Sequence, residues 1–153
     1  MSILREQREI HLNAVIEAAT EAADHYEEEA ERVGDERIAG LFAELGRRRR
    51  DMSETLSEHI RRLGDLPHEP DVEAEFIHEV ASRIRAATED PRLALLEERI
   101  EAEEDLEARI NAALETDLPT DTLQVLKEYE EDTAAATSQL SELLAQYTGA
   151  EPQ

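Results

Sequence analysis

The sequence predicts an all-α domain: an up-and-down four-helix bundle with a short crossover helix between its two helical hairpins. Three observations lead there. Apolar residues recur in alternating steps of three and four through most of the chain, the spacing of one helix face. Glycine and proline number five each, and all but Gly40 and Gly46 fall at a few punctuation points. With 36% charged residues, the faces opposite the apolar stripes can be fully solvated.

The first helix, at about 7–33, carries Leu12, Ile16, Ala19, Ala23, Tyr26, Ala30 and Val33 on one face. Val33-Gly34-Asp35 ends it, since glycine accepts the left-handed conformation and aspartate caps the next helix. The second, at about 36–63, shows Ile38, Phe42, Leu45, Met52, Leu56, Ile60 and Leu63. Gly64 to Asp71, with Pro67 and Pro70, reads as the longest loop. A short helix at about 72–88 offers Phe76, Ile77, Val80, Ile84 and Ala87. Thr88-Glu89-Asp90-Pro91 then reads as a cap with proline in the first turn. The helix at about 92–116 has a seam of Leu93, Leu96, Ile100, Glu103, Glu107, Ile110 and Leu114. Asp117 to Asp121 turns the chain into the last helix, at about 120–147, with Leu126, Tyr129, Ala136, Leu140, Leu143 and Tyr147. Residues 149–153 read as a flexible tail. If 72–88 carries the chain back along the bundle, the second and third long helices run in the same direction; a plain five-helix arrangement is the alternative.

Composition removes several functions. No cysteine is present, which excludes disulfides, thiolate metal sites and cysteine nucleophiles. A net charge of −23 argues against nucleic acid as partner, because a polyanion needs a basic face to release its counterions. No run is apolar enough to span a membrane and no secretory signal is expected from the first residues, so the cytoplasm is the expected location. Lys127 is the single lysine, so 15 of the 16 basic residues are arginine. That bias suits a salty cytoplasm, and a GC-rich genome produces it equally.

The order Leu12-Asn13-Ala14-Val15-Ile16-Glu17, Phe42-Ala43-Glu44-Leu45, Arg61-Arg62-Leu63-Gly64, Leu95-Leu96-Glu97-Glu98, Ala102-Glu103-Glu104 and Asp117-Leu118-Pro119 spans most of the chain. In it the sequence resembles the small bacterial ferritin-like four-helix-bundle proteins catalogued as a domain of unknown function. The resemblance implies a ferritin-like fold and oligomers, but no reaction. Two positions depart from the family pattern, Thr137 in place of a histidine and Ala102 in place of a glycine.

A ferritin-type di-iron centre needs an inward glutamate from two helices and an inward Glu-x-x-His from the other two. The single literal Glu-x-x-His, Glu75 to His78, falls on the short helix with its histidine turned off the stripe. On the first helix Glu17 and Glu21 fall nearly opposite the apolar face, and most of Glu27-Glu28-Glu29 is expected in solvent. Glu103, Glu107 and His59 are therefore weak metal candidates, and no metal or other cofactor is expected, with iron as the alternative. His59 lies about 15 Å along its helix from Arg49, and reads as a partly buried structural histidine near the bundle end.

The seam of the second helix has an arginine where an apolar residue is due, at Arg49. In the crossover topology Arg49 and Glu103 fall at one level, roughly 20 Å from the shared end, beside Ala19, Ala23 and Thr133. A buried Arg49–Glu103 pair follows. The expected function is that of a non-catalytic bundle acting through self-association or a protein partner, with stress-related roles implied by the resemblance. The alternative is a metal-binding oxidase or storage protein with an atypical iron site.

Overall fold

A computed structural model describes residues 3–64 and 90–149. All secondary structure among these residues is helical: α1 (Ile3–Arg32), α2 (Glu36–Arg62), α3 (Pro91–Leu114) and α4 (Thr120–Thr148). The expected boundaries agree to within four residues, the largest difference being the earlier start of α1. The helix expected at 72–88 and the tail beyond Gly149 lie outside the described residues.

Local chemistry sets the ends. Gly34 takes φ +68°, a conformation that side-chain-bearing residues rarely adopt, and so stops α1. Asp35 then caps α2, its carboxylate accepting from the Arg37 and Ile38 amides at 3.0 and 3.1 Å. Asp90 caps α3 through the Arg92 amide at 2.9 Å, with Pro91 in the first turn. The Tyr147 hydroxyl donates to the same Asp35 carboxylate, and the Arg37 and Arg92 guanidinium groups lie over its ring at 5.7 and 5.0 Å. One short aromatic knot thus ties the end of α4 to the starts of α2 and α3.

That knot also fixes topology. Arg92 reaches Asp35, so α2 and α3 begin at the same end of the bundle and run parallel. α1 packs along α2 and α3 along α4, while α1 also meets α3 and α2 meets α4. Each of these neighbouring pairs is antiparallel: Arg50 reaches Asp24, His59 reaches Thr122, and Arg109 reaches the carbonyl of Ala14. α2 and α3 therefore stand diagonally across the bundle, in the directions that a crossover connection requires.

The apolar core is in two parts. One, toward the α2 C-terminus, joins Leu12, Ile16, Met52, Leu56, Leu106 and Ile110; the other, toward the α2 N-terminus, joins Tyr26, Phe42, Leu45, Leu96 and Leu140. Between them α2 places Arg49, α3 Glu103, α1 Ala23 and α4 Thr133, all fully buried. Close approach of α1 and α2 beside this layer depends on Gly46. A methyl group there would lie 3.1 Å from Cβ of Tyr26, whose ring packs edge-on to Phe42 at 5.3 Å.

Gly46→Val is expected to lower stability by about 1–3 kcal/mol, because its branched side chain forces α1 and α2 apart. Urea unfolding measures it; an unchanged or raised midpoint would mean that the helices accommodate the bulk.

Candidate functional site

The buried layer is where charge, burial and hydrogen bonding converge. Arg49 donates from Nε to both Glu103 carboxylate oxygens at 3.1 and 3.0 Å, and from Nη2 to Oε1 at 2.6 Å. Its Nη1 donates to Asp132 Oδ2 at 2.5 Å, and the Tyr26 hydroxyl donates to Glu103 Oε2 at 3.0 Å. Asp132 also pairs with Arg48, which carries the network out to the surface between α2 and α4. No side-chain nitrogen or oxygen of Arg49, Glu103 or Tyr26 is left without a partner. Satisfaction of this kind is what makes a buried charged layer tolerable, since an isolated charge in the same place would be strongly destabilising.

The titration directions follow from these contacts. Burial opposes the charge on Arg49, but the hydrogen bonds and negative charge of Glu103 outweigh it and raise the guanidinium further above its usual range. Burial and the Glu103 charge push the Tyr26 phenol up, keeping it a donor. Burial works to raise Asp132, yet the hydrogen bonds from Arg49 and Arg48 win and hold the carboxyl below its ordinary value.

Arg49 and Glu103 thus meet across the diagonal. The Thr133 hydroxyl turns back to the Glu130 carbonyl at 2.9 Å and does not join them; Tyr26 and Asp132 do. Two details of the α3 seam differ from the sequence reading: Arg99 and Leu106 occupy buried places, while Glu107 is only half-buried. His59 is buried at the far end of the bundle, with Nδ1 2.7 Å from the Thr122 hydroxyl, and burial holds it below the usual histidine range. Glu103, Glu107 and His59 do not gather into a metal-ligating group.

A second polar group was not anticipated. His25 and Glu98 are buried, and the Glu29 side chain is 14% exposed, where α1 faces α3. Of the run Glu27-Glu28-Glu29, the first two are exposed as expected for most of it, and Glu29 is the one turned inward. Arg99, 1% exposed, stands among them with Nη2 3.2 Å from Glu98 Oε1 and Nε 3.4 Å from Glu29 Oε2, its guanidinium 5.5 Å from the Tyr26 ring. Burial, with Arg99 opposing and Glu98 assisting, raises the Glu29 carboxyl to about 7. The signal in sequence was the His25/Glu29 spacing of four, which places both on one flank of α1.

The family model described as Domain of unknown function (DUF2383) matches residues 8–116, well over half of the chain. The chain belongs to that family. No curated protein and no solved structure matches it.

Asp132→Asn is expected to cost on the order of 1 kcal/mol at neutral pH, because the charge that Arg49 and Arg48 share is lost. A depressed carboxyl contributes its stability above its unfolded pKa and loses it as pH falls through the folded value. The gap between wild type and variant should therefore close below about pH 4, the ordinary aspartate range. Urea titrations at neutral and acid pH measure this, and a gap that persists or widens in acid would contradict it.

Proposed function

We propose that this member of a family of unknown function is a non-catalytic, ferritin-like bundle that works through self-association or a protein partner. The observation that carries the reading is the occupation of the mid-bundle layer. A carboxylate-bridged iron pair needs carboxylates from all four helices and histidines from two. At the corresponding depth α1 supplies Ala23, α2 supplies Arg49 and α4 supplies Thr133. Glu103 faces inward, but its oxygens are taken by Arg49 and Tyr26. Arg49 fills the place that further ligands would take and Glu103 has no second carboxylate or histidine beside it, so the centre serves packing. The parallel course of α2 and α3 supports the ferritin-like assignment.

With its mid-bundle layer closed, the bundle has its outer faces as surface for association. Those faces are acidic, so two copies repel unless arginines of one meet carboxylates of the other. Of the run Arg47 to Arg50, the last three pair with carboxylates of the chain itself: Arg48 with Asp132, Arg49 with Glu103 and Asp132, and Arg50 with Asp24 and Glu27. Arg47 is exposed and fits such an intermolecular contact.

Sedimentation velocity over a range of concentration and salt, paired with aerobic iron oxidation, tests the reading. Assemblies larger than a monomer, with iron oxidised no faster than in buffer, are expected. Oxidation clearly above the buffer rate would overturn the non-catalytic part, and a monomer under every condition would shift the role to a heterologous partner.

A further inference from the structure

The two buried arginines differ in a way that the mid-bundle layer does not explain. Each of the three guanidinium nitrogens of Arg49 donates a hydrogen bond. Arg99 is equally buried, yet its Nη1 and Nε donate no hydrogen bond, and Glu29 Oε2 beside it accepts none. Buried polar atoms in that state are uncommon in native proteins, and one regular cause is a small ligand that completes them. The place is also reachable. A cleft of about 320 Å³ runs between α1 and α3, lined by His25 and Arg99 together with Glu21, Glu101, Asp105 and Arg109.

Three metal-ligating side chains converge beside this cleft, to which His25 connects them. His25, Glu29 and Glu98 each offer one ligand atom, and the three atoms lie within 4.8 Å of one another. Ligands about 2.1 Å from a tetrahedral ion stand roughly 3.4 Å apart, so modest side-chain rotation closes them on a single ion. The donor set is one imidazole and two carboxylates. All-oxygen sites suit magnesium and calcium, and sulfur sites suit cuprous copper, whereas this set suits a borderline divalent ion. Three protein ligands leave a fourth position for water. A water there would accept from Arg99 Nη1, while Nη2 continues to orient Glu98. Outer-shell partners of this kind set carboxylate direction at metal sites.

We propose that His25, Glu29 and Glu98 bind one divalent transition-metal ion of the zinc or ferrous class, with Arg99 as positioning residue and the α1–α3 cleft as the way in. The site is separate from the Arg49 layer, and loss of either proposal leaves the other standing.

The full chain, stripped with a chelator, is titrated with Zn2+ by calorimetry and with Co2+ by visible absorption, in low and in molar salt. One ion per chain is expected, held through molar salt, together with cobalt bands of a low-coordinate site and a raised melting temperature on adding zinc. Glu29→Gln and His25→Ala should each weaken zinc at least tenfold; helical content by circular dichroism checks that both fold. Arg99→Met should weaken it roughly 10–100-fold, with Arg99→Lys recovering part of the loss. Ions condensed loosely on an acidic surface are displaced by salt. Binding that disappears in molar salt, or that is unchanged in both Glu29→Gln and His25→Ala, would overturn the assignment.

Discussion

A guanidinium and a carboxylate with no exposed surface, Arg49 and Glu103, stand at the middle of the bundle on helices that face each other across its diagonal. Each would be costly to bury alone, and their attraction offsets that cost only when the remaining donors and lone pairs are satisfied. Tyr26 from α1 and Asp132 from α4 complete the set, so one polar layer draws on all four helices. Its neighbours are correspondingly small: Ala23 and Thr133 leave the volume that the arginine fills.

Much of the surrounding architecture follows from this layer. The apolar core is divided in two on either side of it, and sliding α2 or α3 by one turn would bring a charged side chain into one of the apolar clusters. Such a layer specifies register more than it adds stability. Gly46 belongs to the same construction, because it lets α2 approach the backbone of α1 at Tyr26, the residue that donates to Glu103. Tyr26 also links to the second network, with the Arg99 guanidinium over its ring at 5.5 Å. The two networks share a tyrosine but differ in kind. One is closed and hydrogen-bonded throughout; the other borders a cleft and has donors to spare.

The four long helices were legible because their apolar stripes are continuous and their ends carry strong signals, Gly34-Asp35 and Asp90-Pro91 above all. The level shared by Arg49 and Glu103 was legible by counting residues at 1.5 Å each from a common end. Its partners were not. Asp132 lies on the edge of the α4 stripe, and only knowledge that α2 neighbours α4 shows what it meets. The His25 group was obscured for a related reason. α1 packs against both α2 and α3, so its buried arc is wider than the stripe read from apolar residues, and His25 and Glu29 occupy the added flank. On α3, Arg99 and Ile100 both suit a seam between Leu96 and Glu103; charge suggested the isoleucine, and the nearby carboxylates Glu29 and Glu98 reverse that choice.

The pairing energy across the layer is the most direct measure of its role. In a double-mutant cycle of Arg49→Met and Glu103→Leu, followed by urea unfolding, each single change is expected to cost about 3–5 kcal/mol, because it strands its partner's charge in the core. The double change should cost far less than the sum, since neither charge then needs desolvating, and the difference reads as a coupling energy of up to several kcal/mol. Small, additive single effects would contradict the account, and the layer could then no longer be held responsible for the register of the four helices.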